Sequence, residues 1–119
     1  GLGPWFTVEQ YMAKNKEEQL GMNIISEGTA MYFERMRLHA NDKLSEVAFP
    51  TAGQEQSLLY TYDIIVNEGG YWLVHDILAK HDERGMIWIM SHPFAASYTD
   101  MRKAAVEYRT RAMAELAKK

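Results

Sequence analysis

The sequence predicts an all-α fold, a single compact bundle of about five helices with short connections. Three observations lead there. Apolar residues recur three and four apart over most of the chain, most clearly in 62–78 and 101–116. No stretch shows the apolar–polar alternation of a strand. Polar caps and Gly or Pro breakers divide the chain into pieces of helical length. At 119 residues, 47% hydrophobic and 24% charged, residues 1–119 make one helical domain with one ordinary core.

The elements follow in order. Gly3-Pro4 is an extended entry, and Trp5-Phe6 must pack back onto the bundle to avoid exposure. Thr7 and Gln10 have capping-box spacing, so a first helix starts there with Val8, Tyr11 and Met12 at helical spacing. The polar run Lys14 to Gln19 faces water, and Gly21 either ends this helix or weakens it. Ser26 is placed to cap a second helix, with one continuous helix through Ile24 and Ile25 as the close second reading. Ala30, Phe33 or Glu34, Arg37 and Leu38 keep the period until Asn41-Asp42, where short polar side chains compete with helical hydrogen bonds.

Residues 43–53 form the least regular stretch, with Pro50 and Gly53 as breakers. A third helix is expected from about Gln54 to Lys80, burying Leu58, Tyr62, Ile65, Val66, Gly69, Leu73, Ile77 and Leu78. Gly69-Gly70 inside it would cost roughly 1 kcal/mol per glycine if exposed. They mark a break or a very close helix–helix approach, and the periodicity that continues through Trp72 and Leu73 favours the approach. Asp82 is placed to cap a short helix over 83–90, mostly buried and stopped by Pro93. Ser97 and Asp100 resemble another capped entry, to a last helix lined by Met101, Ala104, Ala105, Tyr108, Ala112 and Leu116.

Composition excludes several function classes. With no cysteine there is no disulfide, no Cys-based zinc site and no thiol catalysis, while the compartment stays open. The net charge of −3 argues against a nucleic-acid partner. The basic residues Arg102, Lys103, Arg109, Arg111, Lys118 and Lys119 suit a solvated helix whose cations meet its C-terminal end, with a basic docking surface as the lesser alternative. No apolar run reaches the roughly 20 residues of a membrane span, since Glu68, His75 and Pro93 interrupt the longest ones. There is no charged-then-apolar leader, so no targeting signal is read. Gly1 has the form of a tag remnant, which would make this a domain excised from a longer protein.

The residues suited to chemistry are sparse. His39, His75, His81 and His92 include no pair at i and i+4, and none follows a Glu by three residues, so no self-contained metal site and no cofactor is expected in this chain. No serine stands in a Gly-x-Ser-x-Gly turn, and Ser26 and Ser97 read as caps. Eight Met, three Trp and seven Tyr read as core, with a Met-rich groove for a partner helix as the lesser alternative.

Glu27-Gly28-Thr29-Ala30-Met31-Tyr32 carries the most information. Its Glu-Gly-x-Ala-x-Tyr pattern resembles the helix that supplies the third zinc ligand in gluzincin-type metallopeptidases. The helix with Gly69-Gly70 and the short segment ending in Pro93 extend the resemblance to residues 24 to 94, the C-terminal helical half of such a domain. The resemblance implies that Glu27 is a zinc ligand and that Tyr62 or Tyr60 stands near the metal as an oxyanion donor. It also implies zinc in a full-length parent. The His-Glu-x-x-His that supplies the first two ligands in those enzymes is absent, and no histidine precedes Glu27.

Two function classes follow. In one, this is the helical part of a zinc metallopeptidase-like hydrolase, inactive by itself, with Glu27 facing a cleft near Tyr62 and an apolar surface where a missing N-terminal segment docks. In the other it is a stand-alone helical interaction domain, homo-oligomeric or with an unspecified partner, that buries Trp5, Phe6, Trp72 and Trp88. Outside both, Glu27 is simply an acid at a helix N-terminus, favoured there by the helix dipole.

Overall fold

Local signals set the helix starts. In the computed structural model, which describes residues 6–35 and 46–118, Thr7 caps α1 (Val8–Met12). The Gln10 amide donates to Thr7 Oγ1 at 3.0 Å and Gln10 Oε1 accepts from the Thr7 amide at 2.8 Å, the expected reciprocal box. A second box, not anticipated, starts α2 (Lys16–Arg35). There the Glu18 amide donates to Asn15 Oδ1 (2.8 Å) and the Asn15 amide to Glu18 Oε1 (3.1 Å). Glu17 and Glu18 in the first turn and Arg35 in the last complement the helix dipole.

The helix α2 is continuous, so neither Gly21 nor Ser26 bounds it. Gly21 serves packing instead. A Cβ there would lie 1.7 Å from the Phe94 carbonyl oxygen, so only glycine lets that backbone approach. Asn41-Asp42, Trp5 and His39 lie outside the described residues.

The long third helix expected from Gln54 divides into three pieces. Leu58–Tyr60 is a 3₁₀ turn whose Ser57 hydroxyl accepts from the Leu59 amide. Ile64–Gly69 is a π-helical turn, and α3 (Gly70–Ser91) follows directly. Because the chain is not regularly helical before residue 62, Leu58 and Tyr62 are not on a buried face. They are 89% and 49% exposed, against the prediction. From Ile65 onward the predicted stripe holds, and Ile65, Val66, Gly69, Leu73, Ile77 and Leu78 are buried.

The helix predicted over 83–90 is the second half of α3, which reduces five helices to four. Among the described residues no strand occurs. The two halves join at Asp82, whose φ of 47° and ψ of −124° kink the helix without ending it. Asp82 is therefore not a cap. It is the one non-glycine with positive φ among the described residues, a conformation that costs about 1–3 kcal/mol. Replacing Asp82 with Gly is expected to raise stability by about 1 kcal/mol, the strain relieved less the entropy glycine loses on folding. Urea unfolding reads this directly, and an unchanged or lower midpoint would contradict the strain. Of the apolar residues after the kink, Trp88 and Ile89 are buried while Ile87 and Met90 are exposed.

The last helix, α4 (Met101–Ala117), begins at Asp100 without a side-chain cap bond. Ser97 pairs with Thr99 Oγ1 at 3.0 Å and caps nothing. Its predicted inner face is right at Met101, Ala105, Ala112 and Leu116, which are buried.

Helix α3 is the centre of the fold, packed on α2 along one side and α4 along the other. Gly70 makes the first contact possible. A Cβ on Gly28 would lie 2.2 Å from the Gly70 carbonyl carbon and oxygen, and one on Gly70 would lie 2.3 Å from the Ile24 carbonyl oxygen. The backbones of α2 and α3 thus touch, as the Gly69-Gly70 pair suggested. Gly69 leaves room for the ring of Phe49, which is fully buried and edge-on to Trp72 at 6.1 Å. Arg102 on α4 fixes the segment that carries Phe49. Its Nε donates to the Phe49 carbonyl at 2.7 Å, and its Nη2 donates to the Val47 carbonyl (3.4 Å) and the Tyr60 hydroxyl (3.1 Å).

Candidate functional site

Glu27 sits in the middle of α2, one residue before the glycine that touches α3, and its side chain is exposed. Helical spacing puts Asn23 on the same face one turn earlier. Asn23 Nδ2 donates to the Tyr11 hydroxyl at 2.9 Å, which ties α1 to this face. Tyr62 stands beside them in the helical turn that leads into the π-helical segment. Burial is the first cause that holds its hydroxyl above the ordinary tyrosine range. Tyr11, Glu27 and Tyr98 add to the shift, and a hydrogen bond with Asn23 works against it. Tyr11, Asn23, Glu27, Tyr62 and Tyr98 therefore form one polar, aromatic patch drawn from four stretches of chain.

The structure brings Glu27 and Tyr62 within electrostatic reach of each other. It does not bring Tyr60 there, since that residue is buried and its hydroxyl accepts from Arg102. Tyr11, Asn23 and Tyr98 were not singled out from the sequence. The i, i+4 spacing of Asn23 and Glu27 was the one available signal. Leu58 and Leu59, on the approach to Tyr62, are 89% and 73% exposed, and Val8 and Met12 beside Tyr11 are also exposed.

The histidines lie elsewhere. His75 is half-buried on α3, with its ring edge-on to Tyr32 (5.6 Å) and Tyr71 (5.4 Å). Its Nδ1 meets Asp76 Oδ1 at 3.0 Å, and Arg109 binds the other carboxylate oxygen while lying 4.4 Å over the Trp72 ring. Burial alone would raise the Asp76 carboxyl, but the His75 hydrogen bond, Arg109 and Lys80 outweigh it and hold the group below its usual range. This cluster ties α3 to α4. His92 caps the C-terminus of α3, stacked on Trp88 at 4.0 Å, with its Nδ1 on the Trp88 carbonyl at 2.7 Å. Both arrangements are structural.

A zinc site needs three protein ligands around the ion. Among the described residues no group of three or more His, Cys, Asp or Glu side chains could hold a metal. Among the described residues, therefore, no ligand set fits a catalytic zinc, and Glu27 presents a single exposed carboxylate. Among the described residues, too, no helix is long and apolar enough to cross a membrane. Comparison with protein-family models, with curated proteins and with solved structures returns no match.

Proposed function

We propose that this chain is the helical part of a zinc metallopeptidase-like protein, that Glu27 is one of the metal ligands, and that the chain alone does not hydrolyse peptides. The observation that carries the reading is the contact of Gly28 with Gly70. It pins the turn of α2 that bears Glu27 against the central helix while the carboxylate points outward. A ligand helix needs its backbone held in place behind the residue, and the exposed carboxylate leaves room for a cleft closed by further protein. The exposed leucines on the approach to Tyr62 suit a face covered by further protein. A complete site of this kind would supply a zinc-activated water; the residues of this chain supply one ligand and the scaffold behind it.

The test uses the product of the complete reading frame that encodes these 119 residues. It is expected to carry one zinc, and Glu27→Ala is expected to weaken zinc binding by more than the ~10-fold loss typical of an outer-shell partner. Zinc titrated into the 119-residue chain should show no tight site. A full-frame product without zinc, or one that keeps its zinc affinity after Glu27→Ala, would overturn the proposal.

A further inference from the structure

We propose that the pocket at the kink of α3 binds an alkylammonium group. It is a half-open groove of about 310 Å³ lined by Tyr32, Phe33, Leu78, Asp82, Glu83 and Met86. The inference is independent of Glu27 and of any zinc.

Each wall narrows the ligand. Tyr32 and Phe33 are consecutive on α2, and their rings stand at 83° with centroids 5.3 Å apart, two sides of an aromatic corner. Such rings attract a cation that has shed most of its water. Phe33 is 41% exposed, an aromatic surface that the fold leaves accessible. Leu78 and Met86 add apolar lining, which disfavours small hydrated ions. Asp82 and Glu83 add two carboxylates, and among the described residues neither has an ion-pair partner.

Alternatives fail on the same lining. An anion would meet two carboxylates. A divalent metal would find two carboxylates and no third ligand, as no group of three is present among the described residues. A neutral apolar molecule would draw nothing from the two exposed carboxylates. An alkylammonium satisfies all the walls, with its charge on the carboxylates and its carbons on the rings and on Met86. The Tyr32 hydroxyl feels the Asp82 carboxylate, which raises it further after burial has done so. The carboxylate and the ring therefore share one small volume. The residue at the kink, Asp82, is thus itself part of the pocket lining.

Such a group can come from a methylated amine or from a lysine-like chain. NMR titration of the 119-residue chain with tetramethylammonium and with n-butylammonium distinguishes the two, and saturable shifts at Tyr32, Phe33 and Met86 with either support the site. Choline should bind at least roughly tenfold tighter than its neutral isostere 3,3-dimethylbutan-1-ol. Phe33→Leu should weaken binding roughly three- to fivefold. Asp82→Gly should weaken it while leaving the helical circular dichroism intact, so loss of binding cannot be put down to unfolding. Equal binding of choline and its neutral isostere, shifts spread over the acidic surface instead of the pocket, or no saturable shift with any cation would overturn the assignment.

Discussion

Gly28→Ala is expected to destabilise the protein by about 2–3 kcal/mol and lower its melting temperature by roughly 10 °C. The sign is the informative part. On helix propensity alone, an alanine in the middle of α2 would stabilise by roughly 1 kcal/mol. The structure opposes this, because the new methyl would lie 2.2 Å from two backbone atoms of Gly70 and 2.7 Å from its Cα. Backbone cannot swing aside as a flexible side chain can, so α2 and α3 must separate along the contact that organises the core. Thermal and urea unfolding of the variant decide the matter. A variant as stable as the parent, or more stable, would show that the two helices do not touch.

The second large effect concerns a residue from the stretch that sequence reading left irregular. Phe49→Ala should cost about 3–5 kcal/mol, the range for a fully buried aromatic side chain. Phe49 is completely excluded from solvent, and its ring fills the space that Gly69 leaves, edge-on to Trp72. Leu58→Ala should change stability by no more than ~0.5 kcal/mol, as for an ordinary surface substitution. The apolar period alone would rank the two the other way, with Leu58 in the core stripe. Unfolding midpoints of the pair therefore test the architecture between residues 46 and 63. A Leu58 variant as damaged as the Phe49 variant would restore the long helix that the sequence suggested.

The contrast shows what could be read in advance. Periodic signals were dependable where a helix is long and packed on one side. Met101, Ala105, Ala112 and Leu116 of α4 and the run Leu73, Ile77, Leu78 are buried as spaced, while Ala104 and Tyr108 are partly buried. Short-range polar signals worked at Thr7 and Gln10. The same rule, applied to Asn15 and Glu18, would have found the start of α2.

Extending the period back through residues 54–62 failed because Ser57 and the π turn break the regular geometry, and both steps preserve apolar spacing in the sequence. The kink at Asp82 was read as a cap because aspartate favours both roles, and only the backbone angles separate them. Glu27 could be singled out from its own neighbours. The residues around it could not, since Tyr62 comes within its electrostatic reach from an element distant in sequence and Tyr11 and Tyr98 act on Tyr62 from two others. The pocket at the kink was invisible for the same reason, being assembled from α2 and both halves of α3.

The hold of Arg102 on the chain ahead of α3 has an engineering consequence. One guanidinium grips Val47 and Phe49 on one side of a loop and Tyr60 on the other. The intervening residues 51–57 run mostly along the surface. Lengthening such a loop costs only about 0.6 kcal/mol per doubling when its ends are already fixed. Residues 51–57 are therefore the place to graft a peptide tag, attach a fluorophore or open the chain for circular permutation, because the clasp that defines the loop lies wholly outside the stretch being altered.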